Sequence, residues 1–60
     1  MITAADKLKW IENEVIQRQR VYAKWVASGS MTEEAAVKEI ATMAAIQIDY
    51  AAVVAQERVQ

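Results

Sequence analysis

Apolar residues recur along the first half of the chain at alternating spacings of three and four. The series consists of Ala4, Leu8, Ile11, Val15, Tyr22 and Trp25. Such spacing is typical of one face of an α-helix, which completes a turn about every 3.6 residues. Arg18 falls within the series, at a position where an apolar residue is expected. The pattern predicts helix 1 over about residues 3–28, with Thr3 as its N-cap and Asp6 as the capping-box partner.

The second half of the chain carries a similar stripe and, beside it, a second apolar face. The stripe consists of Ala36, Ile40, Met43, Gln47, Tyr50 and Val54. The second face consists of Val37, Ala41, Ala44, Ile48, Ala51, Ala52 and Ala55. One partner helix cannot cover both, and an apolar face left exposed usually marks an interface. The pattern predicts helix 2 over about residues 33–58, with the second face as the interface of a homodimer.

Residues 29–32 form the predicted turn between the two helices. Gly29 is the single glycine of the chain, and it stands where a left-handed residue often ends a helix. Thr32 is the expected N-cap of helix 2, because Glu33 then lies in the first turn, where the helix dipole favours a carboxylate. Ser30 with Glu33 is an alternative capping box. The predicted fold is a single all-α domain, a two-helix antiparallel hairpin that dimerises into a four-helix bundle.

Each apolar stripe contains one polar residue, Arg18 in helix 1 and Gln47 in helix 2. Folding the hairpin at the turn brings these two residues within about one helical turn of each other. Arg18 then lies near Gln47. Glu14 precedes Arg18 by four residues, which is the favourable order for an ion pair on a helix. We expect a partly buried cluster of Glu14, Arg18 and Gln47 that fixes how the two helices pair.

Three aromatic residues and one isoleucine of helix 1 divide between the core and its edges. Tyr22 and Trp25 fall on the core stripe and are expected to be buried. Trp10 and Ile16 lie on opposite flanks of the stripe, where a hairpin alone does not cover them fully. Tryptophan is frequent at interface hot spots, so Trp10 has two open roles, in dimer packing or in binding another protein.

Composition and size restrict the possible functions. A chain of 60 residues buries only about 60% of its unfolded surface, so a small domain usually needs disulfides, a metal or oligomerisation. Cysteine and histidine are absent, and so are a glycine-rich phosphate loop and a nucleophile elbow. Glu33, Glu34 and Glu39 are interpreted as dipole-pairing and solvated side chains. We expect no enzyme activity, no cofactor and no metal, and oligomerisation is the stabilising device that remains.

Charge is segregated between the helices although the net charge is only −1. Helix 1 carries five basic and three acidic residues, and helix 2 carries two basic and five acidic residues. The outer face and flank of helix 1 are the predicted partner-binding surface, formed by Lys9, Trp10, Asn13, Gln17, Arg20 and Lys24. RNA or DNA binding by the same residues is the alternative, although three positive side chains give a thin electrostatic footprint. A structural module that binds only itself is the third hypothesis.

Nothing in the sequence predicts export or a membrane span. The first ten residues lack the basic and apolar regions of a signal peptide. Residues 40–56 are mostly apolar but short for a bilayer, and they contain Gln47 and Asp49. The expected location is the cytoplasm, which the absence of cysteine fits.

Residues 18–46 resemble a group of small phage and prophage proteins. The resemblance rests on Arg18, Arg20, Val21, Tyr22, Trp25, Val26, Gly29, Met31, Thr32, Glu34, Ala36, Glu39, Ile40, Met43 and Ile46. One similar class comprises dimeric helical hairpins that block host regulators such as quorum-sensing activators. The resemblance implies a non-enzymatic protein that binds and modulates a host protein in the bacterial cytoplasm. Ala23 and Lys24 stand where the pattern often has proline, so helix 1 is expected to be unkinked, and no binding residue carries over.

Overall fold

The protein consists of two long helices packed side by side. A computed structural model describes residues 1–59, with the side chains of residues 1–58. Helix α1 spans Ala4–Ser28 and helix α2 spans Glu33–Val59. The two pack against each other as an antiparallel hairpin about 48 Å long and 19 Å wide. The predicted all-α hairpin is confirmed, and the four helix ends agree with the prediction to within one residue.

A reciprocal pair of hydrogen bonds fixes the start of α1. Thr3 has an extended backbone, and its hydroxyl accepts the N–H of Asp6 at 3.1 Å. In return the N–H of Thr3 donates to the Asp6 carboxylate at 3.0 Å. These contacts with Thr3, the backbone one first, hold the pKa of Asp6 below its ordinary value. The capping box predicted from Thr3 and Asp6 is present.

Helix α1 ends in a left-handed glycine. Gly29 has φ 79° and ψ 7°, a conformation that side chains with a Cβ rarely adopt. Its N–H donates to the carbonyl of Val26 at 3.1 Å, and the N–H of Ser30 donates to the carbonyl of Trp25 at 2.8 Å. These two bonds form a Schellman motif, which satisfies the last carbonyls of α1 and turns the chain back.

Thr32 begins the second helix. Its hydroxyl accepts the N–H of Ala35 at 3.1 Å, so Thr32 is the N-cap. The hydroxyl of Ser30, the alternative cap, lies 3.0 Å from that of Ser28 instead. The side chains of Glu33 and its neighbour therefore occupy the first turn of α2, as predicted.

The core is a single seam between the two helices. Ile11, Tyr22 and Val54 are its buried apolar residues. Around them lie half-buried side chains: Leu8, Val15 and Val26 from α1, and Ala36, Ile40, Met43 and Tyr50 from α2. Tyr22 is in the core as predicted, and the stripes of both helices face each other.

The prediction that Trp25 is a core residue is wrong. Its side chain is 46% exposed, and its ring lies 5.6 Å from that of Tyr22, tilted by 33°. Trp25 stands in the last turn of α1, next to the turn between the helices. Its ring packs on that of Tyr22 and leaves its outer side open to solvent.

Candidate protein-binding surfaces

The hairpin has two broad faces, one on each side of the core seam. Trp10 and Ile16 are six residues apart on α1, a spacing that places them on opposite flanks of the core stripe. Their side chains are 63% and 51% exposed. On α2, Ile46 lines a groove with Trp10, whereas Ile48 points toward the other face. Both faces therefore present large apolar side chains to solvent.

The face on the Ile16 side contains the predicted dimer interface. We call its α2 part the alanine face, formed by Val37, Ala41, Ala44, Ile48, Ala51, Ala52 and Ala55. Ala44 is half-buried and the other six residues are exposed, with Val37 at 63% and Ile48 at 68%. A groove between the helices opens beside this face at the turn end, where it is lined by Tyr22, Val37 and Ile40 among others. Nothing in the hairpin itself covers this strip of the described helix.

The opposite face carries a groove centred on Trp10. We call it the Trp10 groove, and it is lined by Ile2, Asp6, Lys7, Trp10, Ile11, Ile46 and Tyr50. The amino nitrogen of Lys7 lies 5.5 Å from the centre of the Tyr50 ring, a cation–π contact that joins the two helices. A shallower depression next to it is lined by Asp6, Lys9, Trp10 and Asn13. Asp6 and Trp10 line both depressions.

The structure brings together half of the residues predicted to bind a partner. Lys9, Trp10 and Asn13 line one depression. The remaining three, Gln17, Arg20 and Lys24, are exposed further along α1. They continue the outer face of the helix but do not line the Trp10 groove.

Of the seven residues that line the Trp10 groove, the sequence reasoning assigned only Trp10 to a partner-binding surface. Ile2 precedes α1 and belongs to no periodic pattern, so no sequence signal marks it. Ile46 and Tyr50 are four residues apart on α2, and Ile46 lies on the flank of the core stripe. That spacing is a signal that could have identified Ile46, which remains exposed.

A polar cluster ties the middle of α1 to the edge of the core. Arg18 donates from Nε to Glu14 at 2.9 Å and from Nη1 to the hydroxyl of Tyr22 at 3.2 Å. The bond to Tyr22, and then the one to Glu14, raise the pKa of Arg18. The second acceptor of Arg18 is the hydroxyl of Tyr22, one turn further along α1, and a place for Gln47 in this cluster stays a prediction. The Arg18 side chain is 47% exposed, so the cluster lies at the rim of the seam.

The two broad faces of the hairpin expose apolar side chains and a few charged ones. Among residues 1–59, no group of three or more acidic side chains could hold a metal ion. Within the same residues, neither helix is long and apolar enough to cross a membrane. The features that could recognise a ligand are thus the alanine face, the Trp10 groove and the basic residues along α1.

Comparisons with known proteins returned no relatives. No protein-family description matches the chain, and no curated protein or solved structure is significantly similar to it. The resemblance of residues 18–46 to small phage proteins therefore remains an expectation from sequence pattern.

Proposed function

We propose that this hairpin is a non-enzymatic module that acts by binding proteins. It binds a second copy of itself through the alanine face and a different protein through the Trp10 groove and the adjoining residues of α1. The proposed partner is a protein of a bacterial host whose activity is modulated by the contact, as the resemblance to small phage proteins implies. The two faces serve separate contacts, so a dimer still presents two Trp10 grooves.

The observation that carries the proposal is the exposure of Trp10 in an apolar setting. Trp10 is 63% exposed and lies beside Ile2 and Ile46, which are also exposed. Burying this apolar surface against a partner would be favourable. Charged side chains rim the groove, since Asp6 and Lys7 are among its lining residues. An apolar centre with a polar rim is the usual anatomy of a protein interface, and tryptophan is enriched among its hot spots.

The test compares two tryptophan variants. Trp10→Ala removes the centre of the proposed surface, whereas Trp25→Ala removes an equally large side chain that lies outside the groove. Candidate partners are captured from a bacterial lysate on the immobilised wild-type protein, identified, purified and measured individually by calorimetry. We expect Trp10→Ala to weaken the binding constant by roughly 30-fold or more, because hot-spot truncations cost about 2 kcal/mol.

Folding is checked alongside binding by the helical circular dichroism of both variants. If a purified partner binds Trp10→Ala as tightly as wild type, the Trp10 groove is not the binding surface. If Trp25→Ala alone loses the partner, recognition lies at the turn end of α1 instead. A protein that dimerises but retains no partner from any lysate tested supports the structural self-assembly hypothesis.

A further inference from the structure

The hairpin exposes more surface than a compact chain of its size. Its accessible surface is 4856 Å². A compact monomer of 6.7 kDa is expected to expose about 3,900 Å². The excess, about 950 Å², is of the same order as the roughly 800 Å² that each partner buries in a standard protein interface. The excess exposed area is therefore about what a second copy of the hairpin would cover.

The alanine face is symmetric about position 46, the middle of α2. Ala44 and Ile48 are each two residues from this position, and Val37 and Ala55 are each nine residues from it. Ala41 and Ala51 are each five residues away. When two copies of a helix cross antiparallel at their midpoints, residues at equal distances come opposite each other. Each large side chain of this face then meets an alanine, an alternation that lets facing helices interdigitate.

Helix α1 has the same symmetry about Ile16. Ile16 is its middle residue and is half exposed, on the same face of the hairpin as Ile48. Glu12 and Arg20 stand four residues before and after it, on the same side of the helix. In an antiparallel crossing centred on Ile16, the Glu12 of each copy comes opposite the Arg20 of the other. Both side chains are exposed, and neither belongs to the Glu14–Arg18 ion pair.

The two centres lie at the same height in the hairpin. Ile16 is twelve residues before the end of α1 at Ser28, and Ile46 is thirteen residues after the start of α2 at Glu33. At about 1.5 Å per residue both lie some 18–20 Å from the turn. A single axis perpendicular to the helices can therefore serve as the two-fold for α1 and α2 together.

We propose that two copies pack face to face about this axis, with α1 against α1 and α2 against α2, each pair antiparallel. Ile16 lies on the axis, Ile48 packs on Ala44 of the second copy, and Glu12 forms an ion pair with Arg20 of the second copy. The inference rests on the proposed self-association and adds its geometry. It also assigns Arg20 to the dimer rather than to the partner-binding surface.

A two-fold axis parallel to the helices gives a different bundle, in which α1 packs on α2 of the second copy. Heights along the hairpin are then unchanged, and Glu12 comes level with Asp49 and Tyr50 of the second copy. No residue of opposite charge in α2 stands at that height to receive Glu12. Charge complementarity therefore favours the perpendicular axis.

Charge reversal distinguishes the two bundles. Glu12→Arg, Arg20→Glu and the double variant are compared with wild type by sedimentation equilibrium, which gives the dimer dissociation constant. Each single variant places two pairs of like charges in the interface, so we expect its dissociation constant to rise about tenfold or more. The double variant restores both ion pairs with the two charges exchanged. Its dissociation constant is expected to lie within about threefold of the wild-type value. Asp49→Lys, a charge reversal away from the proposed interface, is the matched control and should leave the constant unchanged.

The outcomes separate the geometry from the self-association itself. A wild-type dimer whose double variant is not rescued overturns the proposed packing while leaving self-association intact. A dimer whose dissociation constant Glu12→Arg leaves unchanged supports the parallel axis instead, because Glu12 meets no residue of opposite charge in that bundle. A wild-type chain that stays monomeric overturns both, and the Trp10 groove is tested separately by its own variants.

Discussion

Arg18 donates a hydrogen bond of 3.2 Å to the hydroxyl of Tyr22, one turn further along α1. The ring of Tyr22 is buried in the seam, so its hydroxyl is the polar end that reaches the rim. The same guanidinium holds Glu14 at 2.9 Å on its other side. A single arginine thus connects the half-buried carboxylate of Glu14 to a core tyrosine, where the sequence shows only an interruption of the apolar stripe.

Tyr22 is expected to stabilise the hairpin mainly through its ring. Tyr22→Ala removes one of the three buried apolar side chains and should cost about 3 kcal/mol of unfolding free energy. Tyr22→Phe keeps the ring, removes the acceptor of the Arg18 bond and should cost much less, since Arg18 retains Glu14 and water. Urea denaturation followed by circular dichroism measures both. Equal losses in the two variants would mean that the hydroxyl, rather than packing, carries the contribution.

The capping box should make stability depend on pH at the acid end. The pKa of Asp6 lies below its ordinary value of 3.8 in the folded chain, chiefly because Thr3 donates to the carboxylate. The unfolded chain therefore binds the proton at higher pH than the folded one. The stabilisation from Asp6 is complete well above pH 3.8 and declines as the pH falls through the lowered value. Thermal melts of wild type and Asp6→Asn between about pH 6 and pH 2 measure how much the Asp6 carboxylate contributes to stability at each pH.

Thr3→Ala supplies the control for the capping box. It removes the hydroxyl that accepts the Asp6 N–H, which should cost about 1 kcal/mol of unfolding free energy at neutral pH. The stability difference between wild type and Asp6→Asn should shrink toward zero as the pH falls. A difference that stays constant over the whole range would show that the carboxylate charge has no part in the cap.

Much of this fold could be predicted because local signals and periodicity agree. Gly29, Thr3 and Thr32 occupy positions where backbone geometry and hydrogen bonding admit few residue types, and the helix ends follow from them. Tyr22 was placed in the core by its spacing. The period of about 3.6 residues also placed Trp10 and Ile16 on the flanks of the core stripe, and both side chains are exposed.

The differences from the predictions came from effects that spacing does not carry. Trp25 has the periodicity of a core residue, but it stands in the last turn of α1 and stays 46% exposed, because burial depends on what packs against a side chain and not on spacing alone. Gln47 was placed beside Arg18 from the position of each residue along the hairpin, whereas Arg18 donates its second hydrogen bond to Tyr22 of the same helix. The Trp10 groove includes Ile2, which precedes the helix and has no periodic neighbour to identify it.

Two isoleucines on α2 should separate the two proposed interfaces. Ile48 lies on the alanine face, whereas Ile46 lines the Trp10 groove. Ile48→Glu should raise the dimer dissociation constant at least 100-fold, because the two-fold axis buries two unpaired carboxylates. Ile46→Glu is the matched control and should leave the dimer unaffected while weakening a Trp10-dependent partner. If both substitutions disrupt the dimer equally, the assignment of one contact to each face is wrong.

Nucleic-acid binding is expected to be weak and steeply reduced by salt. Lys9, Arg20 and Lys24 are exposed, but they supply only three positive charges per chain. Fluorescence anisotropy with single-stranded RNA should show binding that is lost as salt rises, with a slope of about −0.7 per phosphate neutralised. Lys9→Ala combined with Lys24→Ala should abolish this binding to RNA. Tight, salt-resistant RNA binding would make the nucleic-acid hypothesis the better one.

Self-association is most directly tested by the mass of the wild-type chain in solution. The exposed alanine face, the excess accessible surface and the small core predict that the hairpin is stable as a pair. Sedimentation equilibrium at micromolar concentration should give twice the 6.7 kDa of one chain. A single species of 6.7 kDa that remains fully helical at every concentration would contradict the dimer and show that the hairpin folds alone.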